Sequence, residues 1–203
     1  EKLIYKITFF LGMKLFSLTK LSAENFKLKK EIKKLRKEVT RDHLTKLFNS
    51  MALSGFLDEQ VNFARRYKLP LSVIMIDFDN LKKYNDKYGH LQGNEAIKAA
   101  AICMKKNIRK SDIVGRWTSG EEFLVILPET NKIGAVIVAE KIRKDIAKVK
   151  VKSATKLLKK GYDRITISLG VSELTKNKRL MLHQADQALY KAKHLGRNRV
   201  EVS

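Results

Sequence analysis

Leu71–Phe78 reads LSVIMIDF and follows directly on Pro70. A short β-branched apolar run, with a proline at its entrance and Asp77 and Asp79 at its exit, predicts a buried strand that delivers carboxylates where the chain leaves a sheet. Working outward, residues 93–108 are Ala-rich with helical spacing. Two strand-like runs, 112–117 and 123–127, flank a Thr118-Ser119-Gly120 turn and read as a hairpin. Residues 131–149 form an amphipathic helical pattern opening at Asn131, and 164–171 (RITISLGV) alternates as a strand. Residues 180–194 are helical in period and stop at Gly196. The order β-α-β-β-α-β, with an additional helix at each end, predicts an α/β (α+β) fold: a ferredoxin-like sheet covered by helices on one face.

Residues 1–40 have a different texture. Leu11, Leu18, Asn25, Ile32 and Val39 share one heptad position, and Lys14, Leu21, Leu28 and Leu35 share the other. This predicts a helical linker over 1–40 that pairs in parallel with a second copy, Asn25 fixing the register, ahead of a globular domain over 41–203. Within the 203 residues, 44% hydrophobic and 32% charged side chains exclude a disordered chain, a collagen-like fibre and a disulfide scaffold. The 43 Lys+Arg against 21 Asp+Glu leave +22, a field that favours polyanions. Cys103 alone permits no internal disulfide, which fits a reducing, cytoplasmic setting. No apolar run approaches the roughly 20 residues that span a bilayer. The chain begins at Glu1 without Met. It is therefore expected to be a fragment that has lost an upstream sensor domain, with the cytoplasmic part of a larger, membrane-anchored protein as one form of that expectation.

Chemistry concentrates at the first strand's exit. Asp77 would meet Glu121 or Glu122 of the hairpin, because the first strand and the hairpin are neighbours in such a sheet. Converging carboxylates repel unless a cation lies between them, and hard oxygen donors select Mg²⁺ or Mn²⁺. Asn80, Leu81 and Lys82 follow at an expected helix start, where backbone N–H groups and a lysine form a phosphate cradle. Lys193 and Arg197 bracket the end of the last long helix. Asn85, His90 and Asn94 surround a Gly89/Gly93 turn and could pair with a base edge.

Residues 42–203 resemble the GGDEF domain of the diguanylate cyclase family. The resemblance rests on Asp42-His43-Leu44-Thr45-Lys46-Leu47-Phe48-Asn49, IDFDNLKKYNDKYGHLQGN (76–94) and GEEFLVILP (120–128). It continues through ITISLGV (165–171) and ADQALYKAKHLGRNRV (185–200). It implies the nucleotidyl-cyclase palm fold and the condensation of two GTP into cyclic di-GMP with release of two pyrophosphates. It also implies that Asp77, the Phe78 carbonyl and Glu121 hold Mg²⁺ (or Mn²⁺), with Glu121 as proton acceptor and Glu122 supporting the metal. Asn80, Leu81, Lys82, Lys193 and Arg197 would bind phosphates, and Asn85 and Asn94 would read guanine with His90 nearby. Arg109 and Asp112 reproduce the RxxD pattern of the family's product-inhibition site. Each domain would hold one substrate, so two must face each other as a homodimer.

The sequence departs from the family pattern at several places. Thr118-Ser119-Gly120 replaces the usual Gly-Gly and lengthens the hairpin tip by one residue. Lys46 stands where Gly is usual and Ser50 where Arg is usual. Asn94 replaces the guanine-reading Asp, which predicts a minority of mixed GMP–AMP cyclic dinucleotide. The alternative readings are a degenerate domain that binds GTP or cyclic di-GMP as a receptor, and a basic nucleic-acid-binding module. The second lacks the aromatics interleaved with basic residues that a single-strand binder uses.

Overall fold

The central strand explains the architecture. In this computed structural model, β1 (Leu71–Phe78) is buried at all eight positions. An apolar run without polar alternation needs cover on both faces of its sheet. It finds them in a five-stranded sheet of order β2-β3-β1-β4-β5, built from β2 (Ile113–Arg116), β3 (Glu122–Pro128), β4 (Ile167–Glu173) and β5 (Val200–Val202). β1 pairs antiparallel with both β3 and β4, and β5 adds a parallel edge to β4. The structure describes residues 20–33, 35, 38–118, 120–151 and 164–203. The heptad positions Leu11, Lys14 and Leu18 and the tip residue Ser119 lie outside them.

The described helices are α1 (20–33), α2 (Ser50–Tyr67), α3 (Leu81–Tyr88), α4 (His90–Lys106), α5 (Lys132–Ile146) and α6 (Lys178–His194). Ile74, Ile76 and Phe78 pack with Ile97, Met104 and Ile142 on the α4/α5 side. Val73 and Met75 pack with Leu53, Leu57, Met181 and Leu189 on the α2/α6 side. The expectation of helices on one face is therefore corrected. The β-α-β-β-α-β core has its two helical layers because α2 and α6 bury the second face of the same sheet. Each fully buried Ile, Leu, Met or Phe contributes roughly 1.5–3 kcal/mol, so this double cover supplies most of the fold's driving force.

Asparagine starts three of these helices. The side chains of Asn49, Asn131 and Asn177 accept from the backbone N–H of Ala52, Gly134 and Leu180, filling donors that a helix start leaves open. Gly170 sets how closely α6 approaches β4. A Cβ there would lie 2.1 Å from the Ala185 carbonyl oxygen, so only glycine lets the helix settle on the strand.

The chain divides into two compact units, Glu1–Thr40 and Arg41–Ser203. In the first, Leu21, Leu28, Ile32, Leu35 and Val39 are each at least half exposed. Among the described residues no helix is long and apolar enough to cross a membrane.

Candidate functional site

Strand β1 ends at Phe78, and its neighbours place the surrounding groups. Asp77 stands opposite Glu122 on β3 and opposite Ser168 on β4. It lies on the α6 side of the sheet, and Lys193 near the end of α6 reaches it with Nζ 2.9 Å from Oδ1. Asp77 is only 4% exposed. Burial raises its pKa above the usual carboxylate range, against the lowering by Lys193, and the charges of Glu121 and Glu122 push it up further. The structure thus pairs Asp77 with Lys193, sets it opposite Glu122, and leaves it within the electrostatic reach of Glu121. Among the described residues no group of three or more His, Cys, Asp or Glu is arranged to hold a metal. The expected donor set asks for less: two carboxylates and the Phe78 carbonyl. A buried carboxylate disfavoured by two acidic neighbours is what a hard dication would relieve, so the donor chemistry fits one.

Glu121 is exposed in the hairpin tip, and Glu122 is half-buried at the start of β3. The tip is closed by the Trp117 N–H donating to the Glu122 carbonyl at 2.8 Å. The Thr118 hydroxyl donates to the Glu122 carboxylate, and Arg116 donates to the Gly120 carbonyl. Arg116 also bonds Asp42 at 3.0 Å, and both side chains are largely buried. Burial would raise the Asp42 pKa, but hydrogen bonds from Thr45 and the Arg116 guanidinium bring it below the usual range. Asp42 and Arg116 form a structural pair to which the sequence pattern assigns no role in the site.

Directly after β1, Asn80 adopts φ 57°, in the left-handed region, and makes no side-chain cap on α3. The backbone thereby turns sharply from the acids into the helix, with Leu81 buried and Lys82 exposed. Helix α3 ends at Gly89 (φ 84°), and α4 begins at His90. Gly93 lies inside α4 rather than in the turn, and the Asn85 side chain lies over it: a Cβ at Gly93 would stand 1.8 Å from Asn85 Oδ1. That buried oxygen accepts no hydrogen bond among the described residues. Asn85, with this unpaired buried acceptor, and the half-buried Asn94 flank the α3/α4 junction.

Arg197 is exposed just past α6 with φ 62°. Arg109 and Asp112 lie elsewhere, at the start of β2, a strand's length from the tip. There Asp112 is buried and accepts from the Arg109 N–H at 2.8 Å, while the Arg109 residue is exposed.

Residues 39–199 match the sequence pattern of the family described as diguanylate cyclase, GGDEF domain. The chain belongs to this family. The GGDEF domain is 37% identical over 171 residues to diguanylate cyclase DosC of Escherichia coli K12, covering 82% of this chain and 36% of that protein. Among solved structures it resembles the coiled coil and GGDEF domain of DgcB from Caulobacter crescentus in complex with c-di-GMP. That likeness has a TM-score of 0.83 and 26% identity, over 92% of this chain and 97% of that one. The active GGEEF domain of a diguanylate cyclase from Vibrio cholerae gives a TM-score of 0.69 and 33% identity, over 76% and 96%. The GGDEF domain here thus spans little more than a third of the length of the curated relative.

Proposed function

We propose that this GGDEF domain condenses two GTP into cyclic di-GMP and two pyrophosphates, as a dimer and with a divalent cation. The observation that carries the reading is the buried Asp77 at the end of β1, raised in pKa beside Glu121 and Glu122 and paired with Lys193. Asp77, the Phe78 carbonyl and Glu121 would hold Mg²⁺ or Mn²⁺. Such an ion lowers the pKa of an attacking 3′-hydroxyl and offsets charge on the α-phosphate during an in-line displacement.

The protein's own groups divide the remaining work. Glu121, exposed at the tip, accepts the proton of the attacking hydroxyl, and Glu122 beside it steadies the acidic cluster. The backbone N–H groups at Asn80 and Leu81, with Lys82, Lys193 and Arg197, bind phosphates. Asn85 and Asn94 orient guanine, with His90 at the rim. Two domains face each other, their α1 seams paired, and product returning to Arg109 and Asp112 restrains the enzyme.

Two observations favour a second outcome. Thr118 engages the Glu122 carboxylate in a tip one residue longer than usual, and Asn94 replaces an acidic guanine reader. The first favours a receptor that binds nucleotide without turnover, the second a mixed cyclic dinucleotide. Incubating the chain with Mg²⁺ and GTP, with and without excess ATP, and weighing the products decides among them. Cyclic di-GMP as main product is expected, with a minority of the mixed species under excess ATP. Asp77→Ala and Glu121→Ala should each abolish turnover; wild-type rates in both would remove the mechanism.

A further inference from the structure

The turn that carries Arg197 is unusual. Gly196, Arg197 and Asn198 have φ of 107°, 62° and 46°, three successive residues in the left-handed region. A non-glycine residue is unfavourable there, less so for asparagine than for arginine, and persists where surrounding contacts over-determine it. Those contacts converge on Asn198 from two sides. On one side, Asp79 Oδ2 accepts the Asn198 N–H at 3.0 Å. The same carboxylate accepts the hydroxyls of Thr166 and Ser168, each at 2.7 Å, and the Asp79 N–H donates to the Thr166 carbonyl at 2.9 Å. On the other side, Arg143 Nη1 donates to the Asn198 carbonyl at 3.1 Å and to its side-chain oxygen at 3.0 Å. Arg143 is itself held by Glu140, with Nη2 2.9 Å from Oε2.

We propose that Asp79 and Arg143 are positioning residues, a two-sided clamp that fixes the left-handed turn and so holds Arg197 in register with the Asp77–Phe78 strand end. The geometry is economical. Asp79 is two residues beyond Asp77, so the acid-bearing loop itself grips the turn that presents the guanidinium. Displacement of either would move the phosphate contact relative to the reacting centre, and a misplacement near 1 Å can cost about a hundredfold in rate. The proposal rests on the reading that Arg197 binds the phosphates of GTP.

A double-mutant cycle on the affinity of α,β-methylene GTP with Mg²⁺ tests the clamp, because a purely structural role predicts additivity. Asp79→Ala should weaken binding about tenfold in the wild-type background and less than about twofold when Arg197→Ala is already present. Asp79→Asn, which can still accept from Asn198 and Thr166, should restore most of the affinity. Arg143→Ala, which removes the clamp's other side on α5, should show the same coupling to Arg197. It carries the test if Asp79→Ala does not fold. Equal weakening in both backgrounds, or none, overturns the clamp while leaving the functional reading intact. Failure of the wild-type chain to bind the analogue overturns both.

Discussion

Asp77 sets its proposed role against the stability of the fold. Its carboxyl is buried, and its raised pKa means that the folded state favours the protonated form. The contribution to stability is thus present below the ordinary carboxylate value near ~3.9 and is lost as pH rises through the raised one. At neutral pH the ionised group burdens the fold, and Lys193 relieves only part of that. Asp77→Asn should therefore raise the melting temperature in chelator at pH 7, by about 2–4 °C for each kcal/mol relieved, and leave it unchanged near pH 3. The same variant should lose turnover by on the order of a hundredfold or more. Calorimetry at both pH values and a GTP assay check the pair; a lower melting temperature at pH 7 would show that the Lys193 pairing outweighs burial. Lys46 shows a smaller burden of another kind, since it adopts φ 60° where the family has glycine. Asp77, Glu121 and Glu122 are legible in the sequence because a strand end and a hairpin tip fix their neighbourhood. The Asp79 contact is not, because its partner Asn198 lies 119 residues away and only the finished sheet brings them together.

At the scale of elements, the strand order and the β2–β3 hairpin follow from apolar runs and turn residues in the sequence. Three features do not. Helix α2 is expected only as an additional helix ahead of the core, without bounds, although Leu53, Leu57, Val61 and Ala64 recur at helical spacing behind Asn49 and mark its span. Strand β5 has three residues, too few for a period. The second helical layer is hidden because a run buried on both faces looks the same as one buried on a single face, until its unbroken apolarity is weighed. The α3/α4 junction supports a prediction of its own. Gly93→Ala places a methyl group against Asn85 Oδ1 and must swing that side chain aside. Guanine-nucleotide affinity should fall about tenfold, roughly one to two hydrogen bonds' worth, while the circular dichroism spectrum of the fold is retained. Titration with the same non-reactive GTP analogue reads this directly, and unchanged affinity would remove Asn85 from the base-reading group.

For the whole molecule, the proposed reaction needs two half-sites on separate chains, and the exposed apolar residues Leu21, Leu28 and Ile32 of α1 would offer the means. Pairing there would turn a bimolecular encounter into one governed by a high effective concentration. Deleting residues 1–39 should lower the rate per chain by about tenfold or more at low protein concentration, and progressively less as concentration rises. Rates that are insensitive both to deletion and to dilution would show that the globular unit dimerises unaided. Within that unit the two sides of the acidic site differ in how firmly they are anchored. Asp77 belongs to the middle strand of the sheet, bonded on both edges and buried under two layers, so its amide should exchange far more slowly than the tip. Glu121 belongs to an exposed tip beside the edge strand β2 and depends on a few polar ties, so it opens by local fraying. Heat should then inactivate the molecule well before it melts, by loosening the movable jaw of a vice whose fixed jaw stays in place.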